Sequence, residues 1–233
     1  MKNLTRFFLI IFWISVACRT DTKSELQTNP PINKTKTQNG IPQQKKIKNS
    51  STRQDWVELK SLDTSFVYDI RYATVRNFVH KKMYPCAKCF VRTEVAKALV
   101  EIQKELKKRN LRLKLFDCYR PGKVQKELWK IKPDPRYVAN PAKGSMHNRG
   151  VAVDLTIVDD KGKELNMGTG YDYFGKKAYH AYQQLPDTVR KNRLFLKNLM
   201  QKHGLQPITS EWWHYSYRKK SYPIEQWVWK CNN

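Results

Sequence analysis

Two short stretches of the chain contain the residue types of a catalytic metal site. The first, Ser-Met-His-Asn-Arg-Gly-Val-Ala-Val-Asp, covers residues 145–154, and the second, Glu-Trp-Trp-His, covers residues 211–214. Together they offer two histidines, one aspartate and one spare glutamate. Catalytic zinc takes three such protein ligands and leaves a fourth position for water, and a carboxylate beside it can act as a base. The two stretches therefore predict a zinc site that activates water.

The spacing within the two stretches does not by itself bring these residues together. His147 lies in a predicted loop, and Gly150 permits the sharp turn into a predicted strand that carries Asp154. Glu211 and His214 are three positions apart, so an ideal strand would point them to opposite faces of the sheet. A bulge or a twisted strand end would be needed to bring both side chains to one site.

The elements that must position these residues alternate irregularly between strands and helices. Aromatic and β-branched runs predict strands, and apolar residues at helical spacing predict helices. The order shows no repeating strand–helix–strand unit, so we predict an α+β domain with a small, mainly antiparallel sheet flanked by helices. The predicted strands cover residues 66–72, 111–117, 151–158 and 211–217, and the predicted helices cover residues 93–109, 121–131 and 187–204.

The composition is that of a folded, strongly basic protein. The chain has 233 residues, of which 40% are hydrophobic and 12% aromatic, and its formal net charge is +25. Residues 1–55 hold 10 Lys and Arg against 3 Asp and Glu, which leaves +18 for residues 56–233. Such a charge favours anionic partners, including nucleic acid, acidic lipid or anionic cell-wall polymer. No nucleic-acid-binding module is recognisable, so we predict no nucleic-acid partner.

The first 18 residues resemble the signal peptide of a bacterial lipoprotein. Lys2 and Arg6 precede an apolar run at residues 7–17, which is too short for a comfortable membrane span. The run ends in Ser-Val-Ala before Cys18, although Ser15 stands where such sequences usually have leucine. We expect lipidation of Cys18 and a place on the periplasmic or surface side of the cell envelope. A free or disulfide-bonded Cys18 is the alternative.

The residues after Cys18 are predicted to form a tether. Residues 19–55 are rich in Asn, Gln, Lys, Thr, Ser and Pro and contain few large apolar side chains. Such a segment buries too little surface to offset the entropy lost on ordering. The predicted organisation is a signal peptide at 1–18, a flexible polar tether at 19–55 and a catalytic domain at 56–233.

Several motifs in the predicted domain resemble those of one peptidase family. Residues 145–154 resemble the S-x-H-x-x-G-x-A-x-D signature of zinc D,D-peptidases, and Glu-Trp-Trp-His-Tyr at 211–215 resembles the closing motif of VanX-type D-alanyl-D-alanine dipeptidases. Residues 69–74, 117–121 and 167–172 also resemble that branch. The resemblance runs from Trp56 to the C-terminus and implies the hedgehog/DD-peptidase fold. The first signature is shared with D,D-carboxypeptidases and hedgehog domains.

The resemblance implies one catalytic Zn²⁺ and assigns its ligands. These would be His147, Asp154 and His214. Glu211 would be the general base that takes a proton from the attacking water and passes it to the leaving amine. Arg120 would stabilise the oxyanion of the tetrahedral intermediate, where a fixed positive charge in a dry site is most effective.

The resemblance also assigns substrate contacts. Ser145 would contact the substrate backbone or carboxylate. Tyr72 and Asp172 would bind the free ammonium group of a dipeptide. An acidic group at that place implies a preference for a free N-terminus, and so dipeptidase rather than carboxypeptidase action.

Four cysteines lie in the predicted domain. Cys86 and Cys89 have the spacing of a redox or zinc-binding pair, but no second close pair accompanies them. In an exported chain we expect a structural disulfide, with its partners among these residues, Cys118 and Cys231 left open. A separate structural zinc, a redox motif or free thiols are the alternatives.

The sequence thus predicts an exported, lipid-anchored zinc dipeptidase that hydrolyses D-Ala-D-Ala or related D,D-dipeptides during cell-wall turnover. Its expected partners are the dipeptide, peptidoglycan fragments and the membrane that holds its lipid. The nearest alternative is a D,D-carboxypeptidase that trims peptidoglycan stem peptides. An alternative of another class is a non-catalytic, zinc-bearing, wall-binding lipoprotein.

Overall fold

A five-stranded β-sheet forms the centre of the structure. The structure is a computed structural model that describes residues 55–231. The predicted signal peptide, the lipidation site Cys18 and residues 19–54 of the predicted tether lie outside the described residues. The strands are β1 (Trp56–Glu58), β2 (Val67–Tyr68), β3 (Phe90–Arg92), β4 (Leu111–Asp117), β5 (Ala152–Asp159), β6 (Leu205–Pro207) and β7 (His214–Tyr217), and the helices are α1 (Thr93–Lys107), α2 (Gly122–Ile131) and α3 (Asp187–Lys202).

The central sheet has the strand order β2-β4-β5-β7-β6, and β1 pairs with β3 in a separate two-stranded sheet. Only β2 and β4 run parallel, while the other pairs of the central sheet are antiparallel. Strand β5 lies in the middle and is buried from Ala152 to Val158, which explains its almost continuous apolar sequence. The predicted α+β class with a mainly antiparallel sheet is confirmed.

The three helices follow the predicted apolar periodicity. The buried face of α1 contains Val95, Leu99, Ile102 and Leu106, and α3 buries an equivalent face. Asp187 is the first residue of α3, and it pairs with Arg190 on the next turn. Within residues 55–231, no helix has the length and apolar character needed to cross a membrane.

The strand predicted at residues 66–72 is much shorter than expected. Strand pairing stops after Tyr68, and residues Arg71–Ala73 form a 3-10 turn. The turn carries Tyr72 into the core, where its side chain is almost fully buried and its carbonyl accepts hydrogen bonds from the backbone N–H groups of Met83 and Tyr84. Aromatic character here reflects burial in a turn rather than a continuing strand.

Two disulfides link the four domain cysteines. Cys89 pairs with Cys118, and Cys86 pairs with Cys231. The sequence predicted one structural disulfide and the structure has two, and the two cysteines of the Cys-x-x-Cys motif bind different partners. The first bridge ties β3 to the end of β4, and the second ties the C-terminal segment to the domain. Near it, the Trp229 indole N–H donates to the carbonyl of Cys86 at 3.2 Å.

Candidate metal centre and active site

Strand register places two of the predicted metal ligands side by side. Asp154 of β5 is the antiparallel partner of His214, the first residue of β7. On the other side of β5, a bulge at Phe116 shifts the register so that Asp117, the last residue of β4, also pairs with Asp154. Three polar residues from three neighbouring strands therefore lie in one row across the sheet.

The third predicted ligand comes from the 3-10 turn His147–Arg149. Gly150 ends this turn with a φ of +72°, a backbone conformation that favours glycine. A Cβ atom at Gly150 would lie 2.3 Å from the ring of Trp56. The glycine thus permits both the turn and the close packing that bring His147 beside the strand that follows.

The three ligand atoms form a compact triangle. His147 Nε2 lies 3.1 Å from His214 Nδ1 and 3.3 Å from Asp154 Oδ1, and His214 Nδ1 lies 2.9 Å from the same oxygen. Three ligands at tetrahedral angles around one zinc ion would lie about 3.3 Å apart, given metal–ligand distances of about 2.0–2.1 Å. The triangle therefore has the size and the donor atoms that a tetrahedral metal ion requires, and the three side chains are buried.

Neighbouring groups orient these ligands. His147 Nδ1 lies 2.7 Å from the carbonyl oxygen of Cys118, so it carries the proton and leaves Nε2 free to bind a metal. Tyr171 donates its hydroxyl proton to Asp154 Oδ2 at 3.0 Å. Burial opposes ionisation of Asp154, but the neighbouring His147 and His214 hold the pKa of this carboxyl well below its usual range. Asp154 therefore stays a carboxylate.

Glu211 reaches the site from a turn rather than from a strand. Strand β7 begins at His214, so the strand predicted at residues 211–217 is wrong for its first three residues. The amide of His214 lies 3.4 Å from the Glu211 carbonyl, which closes the turn. Because Glu211 precedes the strand, the alternation of side chains along a strand does not apply to this pair. Burial and then the charges of Asp154 and Asp172 raise the pKa of the Glu211 carboxyl.

Arg120 is held in the site by a buried ion pair. Its Nε and Nη2 atoms donate to the same Asp117 oxygen at 2.9 and 2.7 Å, and Nη1 donates to Gln125 Oε1 at 3.0 Å. The other Asp117 oxygen accepts a hydrogen bond from the Tyr84 hydroxyl at 2.6 Å. The guanidinium lies 3.9 Å from Asp154 and so close to the predicted metal ligands, but its hydrogen bonds go to Asp117 and Gln125.

Asp172 and Tyr72 form a polar pair at another part of the site. The Tyr72 hydroxyl donates to Asp172 Oδ2 at 3.3 Å. Asp172 has a left-handed backbone with a φ of 59°, which aspartate tolerates better than most residues. Although the residue as a whole is half-buried, loss of solvent around its carboxyl, followed by repulsion from Asp154, raises the pKa of Asp172 to about 8.

All eight residues that the sequence assigned to the domain's site line one cavity of about 230 Å³. Ser145 is among them, and its hydroxyl accepts a hydrogen bond from the backbone N–H of Asn148 at 3.1 Å. Aromatic side chains of Phe78, Tyr137, Phe174 and Trp213 line the rest of the cavity. The structure thus brings together all the predicted site residues of the described chain.

Sequence reasoning missed the residues that support the site. Asp117 lies in one of the motifs above, but no role is predicted for it. Its position offered a signal, because it is an acidic residue at the end of a strand, three positions before Arg120, and could form an ion pair with that arginine. Tyr171 directly precedes Asp172 and had no signal of its own. The carbonyl of Cys118 could not be found from side-chain patterns at all.

Comparison with known proteins assigns the chain to a family. A family model described as D-ala-D-ala dipeptidase matches residues 52–229. The chain belongs to the D-ala-D-ala dipeptidase family. It is 34% identical over 169 residues to a D-alanyl-D-alanine dipeptidase of Escherichia coli (strain K12), covering 72% of this chain and 88% of the relative. A D-alanyl-D-alanine dipeptidase of Enterococcus faecium is 28% identical over 177 residues, which cover 67% of this chain and 88% of that protein.

Solved structures of other peptidases resemble the chain more distantly. A vancomycin resistance D,D-pentapeptidase VanY in complex with Zn(II) matches with a TM-score of 0.35 and 18% identity, over 55% of this chain and 73% of that one. The LD-carboxypeptidase LdcB matches with a TM-score of 0.37 and 23% identity, over 55% of this chain and 59% of that one. The assignment to the dipeptidase family, and with it a peptidase activity, rests on the sequence matches.

Asp117→Asn tests whether Asp117 positions Arg120. The amide keeps the shape but leaves the buried guanidinium without its countercharge, so we expect unfolding to become easier by about 3 kcal/mol. We expect kcat to fall at least tenfold while bound metal, measured by atomic emission, stays unchanged. Denaturant unfolding and steady-state kinetics check both effects.

Glu101→Gln is the matched control, because Glu101 also pairs with a cation three residues away, Lys104, but on the exposed face of α1. Its stability should change by less than about 0.5 kcal/mol. Equal behaviour of the two variants would show that Asp117 has no special role.

Proposed function

We propose that the protein is a zinc-dependent D,D-dipeptidase that hydrolyses D-alanyl-D-alanine or closely related dipeptides. The observation that carries this proposal is the convergence of His147, Asp154 and His214 in one small cavity that also contains Glu211 and Arg120. A binding protein would need neither a buried glutamate nor a buried arginine beside a metal. The family assignment supports the same activity.

Zinc is the metal that the donor set favours. Two imidazole nitrogens and one carboxylate oxygen are borderline to hard ligands, and three protein ligands leave a fourth position open, as in catalytic zinc sites. His147, Asp154 and His214 would hold the ion. When bound, Zn²⁺ acts as a Lewis acid and lowers the pKa of a water molecule to about 7.

Glu211 would transfer the proton, and Arg120 would stabilise the negative charge that develops during the reaction. Glu211 has no hydrogen-bonded cation among the described residues, and its raised pKa makes its carboxyl able both to accept a proton from the attacking water and to return it to the leaving amine. Arg120 is fixed by Asp117 and Gln125, so its positive charge is already in place when negative charge develops on the peptide oxygen.

The size and polarity of the cavity favour a short substrate with a free amine. Its volume of about 230 Å³ lies below the range of about 300–1,000 Å³ that is usual for ligand sites. Asp172, held by Tyr72, would pair with the substrate ammonium, and Ser145 would contact the substrate backbone or carboxylate. An ammonium beside Asp172 would favour its ionised form and so lower the raised pKa of this carboxyl.

We further propose that the protein works outside the cytoplasm, anchored by lipid at Cys18. A basic start, an apolar run and the Ser-Val-Ala-Cys sequence support export and lipidation. An exported enzyme would not readily lower the cytoplasmic pool of dipeptide from which wall precursors are built. Its role would therefore be turnover of cell-wall peptides rather than resistance to glycopeptides.

Glu211→Gln separates metal binding from catalysis. The amide cannot accept the proton of the attacking water, so we expect kcat to fall by about 10²–10⁴ while zinc content remains near one ion per chain. A chelator should abolish wild-type activity, and added zinc should restore it. Wild-type activity no higher than that of Glu211→Gln, with zinc bound in both, would favour the wall-binding lipoprotein instead.

A panel of free and blocked dipeptides distinguishes the dipeptidase from the carboxypeptidase. We expect D-Ala-D-Ala to be hydrolysed at least a hundredfold faster than N-acetyl-D-Ala-D-Ala, because only the free amine can pair with Asp172. In Asp172→Asn this ratio should shrink mainly through a higher KM for the free dipeptide. Cleavage of the blocked substrate alone would establish the carboxypeptidase.

Lipidation is tested by metabolic labelling with palmitate. We expect label in the wild-type chain expressed in bacteria and none in Cys18→Ala, because the thiol is the attachment point. Cys18→Ser serves as a second variant of closer size. An unlabelled wild-type protein would rule out the lipid anchor but not the dipeptidase activity.

A further inference from the structure

Two adjoining cavities lie around α3 and the loop before it. Their volumes are about 350 and 280 Å³, and both are lined by His180 and Lys197. The aromatic ring of His180 packs near that of Tyr215, with ring centroids 6.2 Å apart. Tyr215 follows the metal-ligand candidate His214 in β7, and consecutive strand residues point to opposite faces of a sheet. The His180 side of these cavities thus lies across β7 from the proposed catalytic site, and Ile208 lines both the second cavity and the catalytic one.

The walls of the two cavities are strongly basic. Arg190, Lys191, Arg193 and Lys197 line the first, and Lys197 and Arg218 line the second. The single acidic residue in either lining is Asp187, which is already paired with Arg190. Among residues 55–231, no carboxylate lies within 4.0 Å of the charged groups of Lys191, Lys197 or Arg218. The local charge is therefore largely uncompensated by the chain.

One of these cations is buried and held rigidly. The Arg193 guanidinium donates to the backbone carbonyls of Met167, Lys177 and Tyr179 at 2.7, 2.9 and 3.2 Å. Carbonyl dipoles orient the group but do not neutralise it. Burial lowers the pKa of Arg193 to about 10, so it remains charged at neutral pH. A fixed positive charge thus lies at the wall of the cavity.

One buried polar atom of this wall has no partner in the described part of the chain. It is Nε2 of His180, a residue that lines both cavities. Burial and the charges of Lys197 and Arg193 lower the pKa of His180 to about 4, so its ring is neutral at pH 7. With its proton on Nε2, the neutral ring of His180 has a buried donor without a partner, which is unfavourable. A ligand that accepts hydrogen bonds would remove that cost.

We propose that the cavities around His180 and Lys197 form a second binding site, for the phosphoryl group of a phosphate or phosphate ester. Lysine and arginine only donate hydrogen bonds, so the ligand must be rich in acceptors. The oxygens of a phosphoryl group can meet more of these donors than the two oxygens of a carboxylate. Leu185 and Leu194 also line the first cavity and offer apolar surface to the alcohol part of an ester.

Titration calorimetry with the full chain tests this site. The ligands are inorganic phosphate and glycerophosphoglycerol, the water-soluble headgroup of an anionic phospholipid, with potassium chloride at equal ionic strength as the blank. We expect saturable binding of at least one of them by the wild type. Preferred binding of phosphate would indicate a free phosphate ligand, and preferred binding of the diester would indicate a lipid headgroup.

Lys197→Gln should weaken this binding about tenfold or more, because it removes a charge-assisted hydrogen bond. Lys126→Gln, which removes one positive charge from the exposed face of α2, should change binding by less than twofold. Dipeptide hydrolysis by Lys197→Gln should equal that of the wild type, which shows that the variant is folded.

No saturable binding of either ligand would overturn the proposal. Equal weakening in Lys197→Gln and Lys126→Gln would also overturn it, because it would show a response to overall charge rather than to a built site. Neither result would bear on the proposed dipeptidase activity.

Discussion

The structure depends on the register of three neighbouring strands. Asp154 pairs with His214 on one side and with Asp117 on the other. Two predicted metal ligands and the residue that binds Arg120 therefore lie in one row. A shift by one residue would turn these side chains to the opposite face of the sheet. The buried, apolar sequence of β5 makes such a shift costly, so the hydrophobic core also determines the geometry of the site.

The cavity concentrates negative charge. Four carboxyl groups lie in it or directly beside it, those of Asp117, Asp154, Asp172 and Glu211. Among residues 55–231, Arg120 is the one arginine buried with them, because Arg136 also lines the cavity but is exposed and paired with Asp134. Burial, and then repulsion from the neighbouring carboxylates, raises the pKa values of Asp172 and Glu211. A divalent cation at the triangle of ligand atoms would offset this excess of negative charge. The donor set and the surrounding charge therefore both favour a divalent metal ion at this place.

Loops carry much of the site, and covalent and aromatic contacts hold them. The Cys89–Cys118 bridge restrains the segment whose carbonyl orients His147 and whose next residues include Arg120. The C-terminal segment, tied by Cys86–Cys231, stacks Trp227 on Tyr119 with ring centroids 4.6 Å apart. Disulfides persist outside the cytoplasm, so these two bridges are compatible with the proposed export.

The sequence by itself determined the helices, four of the seven strands (β2, β4, β5 and β7) and the eight candidate residues of the domain, because periodicity and short motifs are local properties. Its family resemblance was confirmed by comparison with known proteins. Only the tertiary structure showed that residues 211–213 form a turn, so that Glu211 and His214 can reach one cavity. It also decided the disulfide partners, the support of Arg120 by Asp117 and the gathering of cations around His180. Each of these depends on contacts between distant segments, which no local pattern encodes.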